Sequence, residues 1–279
     1  MELSHKDVLN LLPDRNPDSH KGDYGKILLL CGSRGYTGAA ALSAMGALRC
    51  GAGLVYLGVP ESIYAIEAVK LNEPVVFPLP EKDGMLSADA LPKILELLPK
   101  MDAVLVGCGM GCSEDTFQIL QTVLRVYSGP VVLDADGINM LASHIDILRG
   151  RAGITVLTPH EMEFQRVGGV LAADRTVCAM AFAKNTNSIV LLKGHRTIIT
   201  NGIDCYINPT GNAGMAVGGC GDVLAGMITA LLGQGLLPLK AAACGAWLHG
   251  AAGDICAKEI GQYGMLPTDM LQVLPRLLK

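Results

Sequence analysis

The sequence predicts an α/β protein: a doubly wound, mostly parallel sheet flanked by helices, with a late antiparallel hairpin. Three observations predict it. Short apolar runs of strand length recur along the chain with helical patterns between most of them, the alternation that builds parallel sheets through right-handed crossovers. Those runs are continuously apolar, as strands covered on both faces are. Late in the chain the rhythm breaks at Asn201-Gly202, a strong hairpin signal.

Residues 26–31 (KILLLC) form the first buried-strand pattern. A glycine-spaced loop, GSRGYTG, leads into a small-residue helix over 39–49, where Ala40, Ala44 and Ala47 follow helical spacing and give a face able to pack very closely on a sheet. Further strands are expected at 54–59, 75–79, 103–106, 130–133, 154–157 and 188–192, with helices at 88–98 and 114–127 among the connections. Residues 196–200 and 205–208 flank Asn201-Gly202-Ile203-Asp204 and complete the hairpin. No linker, repeat or low-complexity tract interrupts the series, so 1–279 is expected to be one domain.

Composition bounds the function. Half of the 279 residues are hydrophobic and 17% are charged, which describes a well-buried globule. A formal net charge of -4 argues against nucleic acid or an anionic membrane as partner, so any phosphate on a ligand has to be held locally. The N-terminal MELSHKDVLN lacks a signal or transit pattern. The most apolar stretch, 227–253, is interrupted by Gln234, Pro238, Lys240 and His249, so a cytosolic location is expected. Of the nine cysteines, Cys31, Cys50, Cys108, Cys178, Cys205, Cys244 and Cys256 are scattered through apolar segments as buried thiols are, and Cys108 with Cys112 lacks the further ligands of a zinc site.

Chemistry-bearing residues gather at the carboxyl ends of the expected strands, where open parallel sheets bind ligands. They are Gly32 to Gly38, the turn Gly107-Cys108-Gly109-Met110-Gly111, Asp134-Ala135-Asp136-Gly137-Ile138-Asn139, Thr158-Pro159-His160-Glu161 and Lys193-Gly194-His195-Arg196-Thr197. Singly, each has a plain alternative: aspartates are good turn residues, and Lys193-Gly194 suits a hairpin bend. Five such ends on one rim point to a site. The Walker phosphate loop is absent, and the first turn is GxxGxxG rather than the dinucleotide GxGxxG.

The stretch 212–226, NAGMAVGGCGDVLAG, is where the site centres. Gly214, Gly218, Gly219 and Gly221 precede an apolar helical pattern expected to start near Gly221, and Asp222 stands at the junction. Free N–H groups and the positive end of the dipole make such a start an anion site. An acidic side chain placed there can act as a base beside a phosphate; the plain alternative is that Asp222 only caps the helix.

These motifs together resemble the ribokinase-like superfamily, in which G-x-G-D opens a late helix. More closely, SHKGDYGKILLLCGS, the GCGMG turn, LDADGINML, LTPHEMEF, VLLKGHRTII and NPTGNAGMAVGGCGDVLAGMI, in that order, resemble the ADP/ATP-dependent NAD(P)H-hydrate dehydratases, the carbohydrate-kinase-domain or YjeF C-terminal family. The likeness covers nearly the whole chain and is expected to mark a standalone form, without the epimerase domain fused to some members. It implies that Ala39, Gly109, His160 and Asp222 contact the hydrated nicotinamide nucleotide. It implies that Lys193, Gly194, His195, Arg196, Thr197 and Gly221 hold ADP or AMP. Gly219, Cys220 and Gly221 would supply the anion hole and Asp222 the catalytic base. Magnesium is implied as cofactor, with Asp134, Asp136 and Asn139 as candidate holders, and ADP as co-substrate in a carbon–oxygen lyase reaction.

The resemblance also implies a homo-oligomer, a tetramer. The chain departs from the family in two places: Cys220 stands where Thr or Ser is usual, and Glu161-Met162-Glu163 where Pro-Gly-Glu is usual. Both a small-molecule kinase on the same fold and a non-catalytic nucleotide-binding protein remain open alternatives.

Overall fold

The computed structural model describes residues 1–278. Its strands are β1 (Lys26–Leu30), β2 (Leu54–Pro60), β3 (Val75–Leu79), β4 (Glu81–Lys82), β5 (Met85–Leu86), β6 (Ala103–Val106), β7 (Val131–Leu133), β8 (Thr155–Leu157), β9 (Ile189–Leu192), β10 (Ile198–Thr200) and β11 (Cys205–Ile207). The α-helices are α1 (His5–Leu11), α2 (Thr37–Arg49), α3 (Glu61–Lys70), α4 (Leu91–Leu97), α5 (Glu114–Val126), α6 (Asp136–Asn139), α7 (Glu161–Arg166), α8 (Arg175–Thr186), α9 (Cys220–Gly233), α10 (Pro238–Glu259) and α11 (Pro267–Val273).

Nine strands form one sheet in the order β11-β10-β9-β8-β7-β6-β1-β2-β3. Every pair from β9 to β3 is parallel, while β10 is antiparallel to both β9 and β11. Each expected strand is present within two residues of its predicted ends. The Asn201-Gly202 hairpin forms as read, with Thr200 opposite Cys205. The 193–197 segment is also a hairpin turn, since Ile198 pairs with Leu192. Chain order reverses between β1 and β6, which brings the loops after these strands together at the switch point where open sheets bind ligands.

Alternate residues of each strand feed opposite faces of the sheet. Ile27 and Leu29 join a core with α2, α9 and α10; Leu28 and Leu30 join a second core with α4, α5 and α8. Burial on both faces is why the strands lack a polar–apolar alternation. The small-residue face of α2 is buried at Ala40, Ala44 and Ala47 as expected, but its main partner is α9 and not the sheet. A Cβ added at Gly226 would lie 2.0 Å from the Ser43 carbonyl oxygen, and one at Gly46 2.5 Å from that of Val223. The two backbones touch there, and only glycine permits it.

One further expectation needs correction. Cys178 on α8 and Cys205 on the edge strand β11 are half-buried rather than buried, because one side of each element is open; Cys112, in the loop before α5, is exposed. All nine cysteines are free thiols. The β4–β5 hairpin, two residues per strand, is too short to leave a pattern in the sequence.

Candidate active site

Helix α9 begins at Cys220, one residue before the expected start. Its N-cap is Gly219, in a left-handed conformation with φ of +100°. A glycine cap has no side chain to occupy the first-turn N–H groups, so that turn can face an anion. The Cys220 N–H reaches back to the Val217 carbonyl over a long 3.4 Å. The Cys220 side chain packs in a small core with Met270 and Cys256, its thiol 3.9 Å from the Met270 sulfur.

Asp222 is the third residue of α9 and half-buried. Its carboxyl, the Asp134 carboxyl and the Cys108 thiol all lie within 4.8 Å of one another. Burial first, and then the charge of Asp134, push Asp222 up to about 6. Asp134 goes the other way. Burial acts to raise it, but Lys193 Nζ at 2.8 Å, the Thr158 hydroxyl at 2.7 Å and the Cys108 thiol at 3.7 Å all donate to it and hold it below the ordinary carboxylate value. Lys193 is likewise held charged against its burial, by Asp134 and by Glu163 at 3.7 Å. A buried, fully paired Lys–Asp couple therefore stands beside a carboxylate poised to take a proton near neutral pH. These groups come from neighbouring strand ends: Cys108 follows β6, Asp134 follows β7, Thr158 follows β8 and Lys193 follows β9.

On one side of this cluster opens a cavity of about 870 Å³, lined by Lys193, Gly194, His195, Arg196, Thr197, Cys220 and Gly221 together with Asn208, Met215, Val217 and Leu224. The structure thus brings the whole expected adenylate segment to the start of α9. Arg175 of α8 braces that segment, donating to the carbonyls of Lys193 at 3.0 Å and His195 at 3.2 Å. Asp254 of α10 holds the facing loop through the Gly211 N–H and the Asn212 amide.

Elsewhere, at the switch point, Ala39 and Gly109 meet. A Cβ added at Gly109 would be 2.8 Å from the Ala39 Cβ and 2.9 Å from the Tyr36 Cβ, and the Ser33 hydroxyl fixes the Gly109 carbonyl. Cys108, next in the chain to Gly109, has its thiol within 4.8 Å of the Asp222 carboxyl, and Gly221, next in the chain to Asp222, lines the cavity. His160 falls on the cavity side, apart from Ala39 and Gly109. It also caps α7, its Nδ1 accepting from the N–H groups of Met162 and Glu163.

The three candidate magnesium holders do not form an oxygen cage. Asp134 is committed to Lys193, Thr158 and Cys108; Asp136 accepts from the Gly111 N–H, and Asn139 from Arg166. Arg175, Asn208, Asp254 and His249 were missed by sequence reasoning. For His249 one signal existed: a polar residue inside the most apolar stretch of the chain.

A parallel sheet with an antiparallel end, a glycine-started late helix and an aspartate in its first turn define the ribokinase-like class, and the solved structures agree. The model of the NAD(P)H-hydrate dehydratase family matches residues 27–276, and the chain belongs to that family. It is 45% identical over 275 residues to the bifunctional NAD(P)H-hydrate repair enzyme Nnr of Moorella thermoacetica, covering 96% of this chain and 52% of that protein. The chain spans about half the length of the curated relatives it matches. The ADP/ATP-dependent NAD(P)H-hydrate dehydratase of Bacillus subtilis, co-crystallised with ATP and Mg2+, superposes with a TM-score of 0.86 at 33% identity, over 98% of this chain and 96% of that one. A ribokinase-like superfamily protein of Enterococcus faecalis gives a TM-score of 0.87 at 28% identity, over 99% and 94% of the two chains. Among the described residues no helix is long and apolar enough to cross a membrane.

Proposed function

We propose that this protein dehydrates the hydrates of NADH and NADPH back to the reduced dinucleotides, with ADP as phosphoryl donor and AMP and phosphate as products. Family membership supports the substrate. The observation that carries the mechanism is Asp222, a carboxylate pushed up to about 6 that lies beside Cys108 and next in the chain to the cavity-lining Gly221. ADP occupies the cavity with its phosphates at the start of α9, and the hydrated ring lies over Ala39 and Gly109. Hydroxide is a poor leaving group, so the ring hydroxyl first becomes a phosphate ester. Its oxygen bonds to the terminal phosphorus of ADP, the bond to the AMP oxygen breaks, and the proton passes to Asp222. The ring carbon–oxygen bond then breaks, phosphate leaves with the electron pair, and the adjacent carbon loses a proton to water as the double bond returns. First-turn N–H groups of α9 stabilise charge on the transferring phosphoryl group.

Magnesium, implied by the resemblance and named with the Bacillus relative, would supply charge neutralisation for phosphoryl transfer. Cys108, Asp134 and Asp222 are the clustered ligand atoms here, but a thiol suits a hard cation poorly and Lys193 already neutralises Asp134. The side chains do not fit a resident magnesium site, and any such ion belongs with the phosphates of the nucleotide. The same resemblance supports a homo-oligomer.

Incubation with hydrated NADH and ADP is expected to restore the reduced-nicotinamide absorbance. Asp222→Asn should keep the fold, since the cap of α9 is Gly219 and asparagine matches aspartate in size, and lose roughly 100- to 10,000-fold in rate, the usual cost of a general base. A variant with most of its activity would show that the proton goes elsewhere. Rapid phosphorylation of a sugar or vitamin precursor, with no dehydration, would establish a kinase instead.

A further inference from the structure

His249, in the middle of α10, takes no part in the chemistry described above. Its side chain is only 7% exposed, and it lines the cavity beside Cys220 and Gly221. Its Nε2 is buried and has no hydrogen-bond partner among the described residues. Folded proteins seldom keep such a nitrogen, because leaving it unsatisfied works against stability. Burial, with the Lys193 charge adding to it against the opposing Cys220 carbonyl, pushes the ring down to about 4. The imidazole is therefore neutral near pH 7 and offers one N–H and one bare nitrogen. The same cavity is lined by the apolar Leu224 and Ala246. The Cys220 carbonyl, at the turn that faces the phosphates, is in hydrogen-bond reach of the ring.

We propose that His249 Nε2 accepts a hydrogen bond from a ribose hydroxyl of the adenine nucleotide in this cavity. The inference rests on the placement of ADP there. A neutral ring suits this position, because it adds a directed hydrogen bond without a second positive charge beside Lys193. It also explains why a nitrogen that works against the empty fold is retained. A histidine kept only for packing would be matched by an apolar side chain of similar size.

Ligand affinity and stability are therefore expected to part company in His249→Phe. Without nucleotide, its melting temperature should equal or exceed the parent's, since the orphaned nitrogen is gone. Calorimetric titration with ADP should show affinity weakened about tenfold, the scale of one net hydrogen bond. His249→Gln, which returns a polar group at similar reach, should recover most of the loss. Unchanged ADP affinity in His249→Phe would overturn the proposal. So would a His249→Gln variant as weak as His249→Phe, because volume alone would then be at issue. If the phenylalanine variant does not fold, His249→Leu set against His249→Gln decides by the same comparison. A parent protein that fails to bind ADP would remove the placement and the inference together, whereas a binding parent with unaffected variants removes the inference alone.

Discussion

Asp134 and Asp222 are two aspartates with carboxyl atoms within 4.8 Å of each other, and burial acts on both in the same direction. They part because Asp134 collects Lys193, Thr158 and Cys108, while Asp222 is left facing the charge of Asp134. Pairs of carboxyls driven apart in this way divide labour, one staying ionised and one trading protons. His160 also carries two loads. Its Nδ1 caps α7, and its 48% exposed ring lines the cavity. His160→Asn should keep the cap and the melting temperature, whereas His160→Ala should lose about 1 kcal/mol of stability. A contact with the hydrated dinucleotide would raise the KM for hydrate alike in both variants with ADP affinity unchanged, whereas a contact with the ADP placed in this cavity would weaken ADP instead. An asparagine variant with parental KM would reduce His160 to its cap. Asp222 and its glycines were legible in the sequence because a loop, a helix start and an acid are adjacent in the chain. Arg175 was not, and His249 showed only as a polar break in an apolar stretch, because they reach the site from α8 and α10, and no local pattern says which helix faces which loop.

The strands were legible element by element, since continuous apolar runs of fixed length have few other uses. The partner of α2 was not. A face of alanines announces close approach but not to what, and it is α9 that lies there. The contact matters to the site because α9 carries the anion-binding turn and Asp222 at its start. Gly226→Ala would place a methyl carbon 2.0 Å from the Ser43 carbonyl oxygen, a backbone atom that cannot rotate away. Overpacking of this kind costs about 1–3 kcal/mol, against about 1 kcal/mol gained from helix propensity; contact this short puts the cost at the upper end. Gly38→Ala, on α2 with nothing within 4 Å of the added carbon, should be neutral or stabilising. Urea unfolding of the two variants checks the pair, and Gly226→Ala should also turn over more slowly. Equal stabilities would mean that α2 and α9 do not meet at these backbones.

At the scale of the whole molecule, Asp222 and His249 set opposing responses to acid. The folded value for Asp222, about 6, lies above its ordinary 3.8. Between those values the folded chain holds the proton more tightly than the unfolded one, so this group favours the fold at low pH and weakens it as pH rises through 6. The full penalty above pH 6 is at most roughly 3 kcal/mol, since each tenfold change in proton affinity is worth about 1.4 kcal/mol. His249 runs the other way. Its value falls from 6.5 to about 4, so its contribution is intact above pH 6.5 and is lost as pH falls toward 4, when the buried ring must take a charge. The two windows overlap almost completely, and their slopes cancel in the parent protein. Asp222→Asn removes one side of that balance. The variant should be more stable than the parent at pH 8, with the advantage shrinking as pH drops through 6 and nearly gone at pH 4. Its own stability should fall more steeply on acidification, because the His249 slope is no longer offset. Melting temperatures of parent and variant across this range, without nucleotide, test the expectation. Two curves that stay parallel from pH 8 to pH 4 would mean that Asp222 titrates at an ordinary value, and with it would go the reason for expecting a base that works near neutral pH.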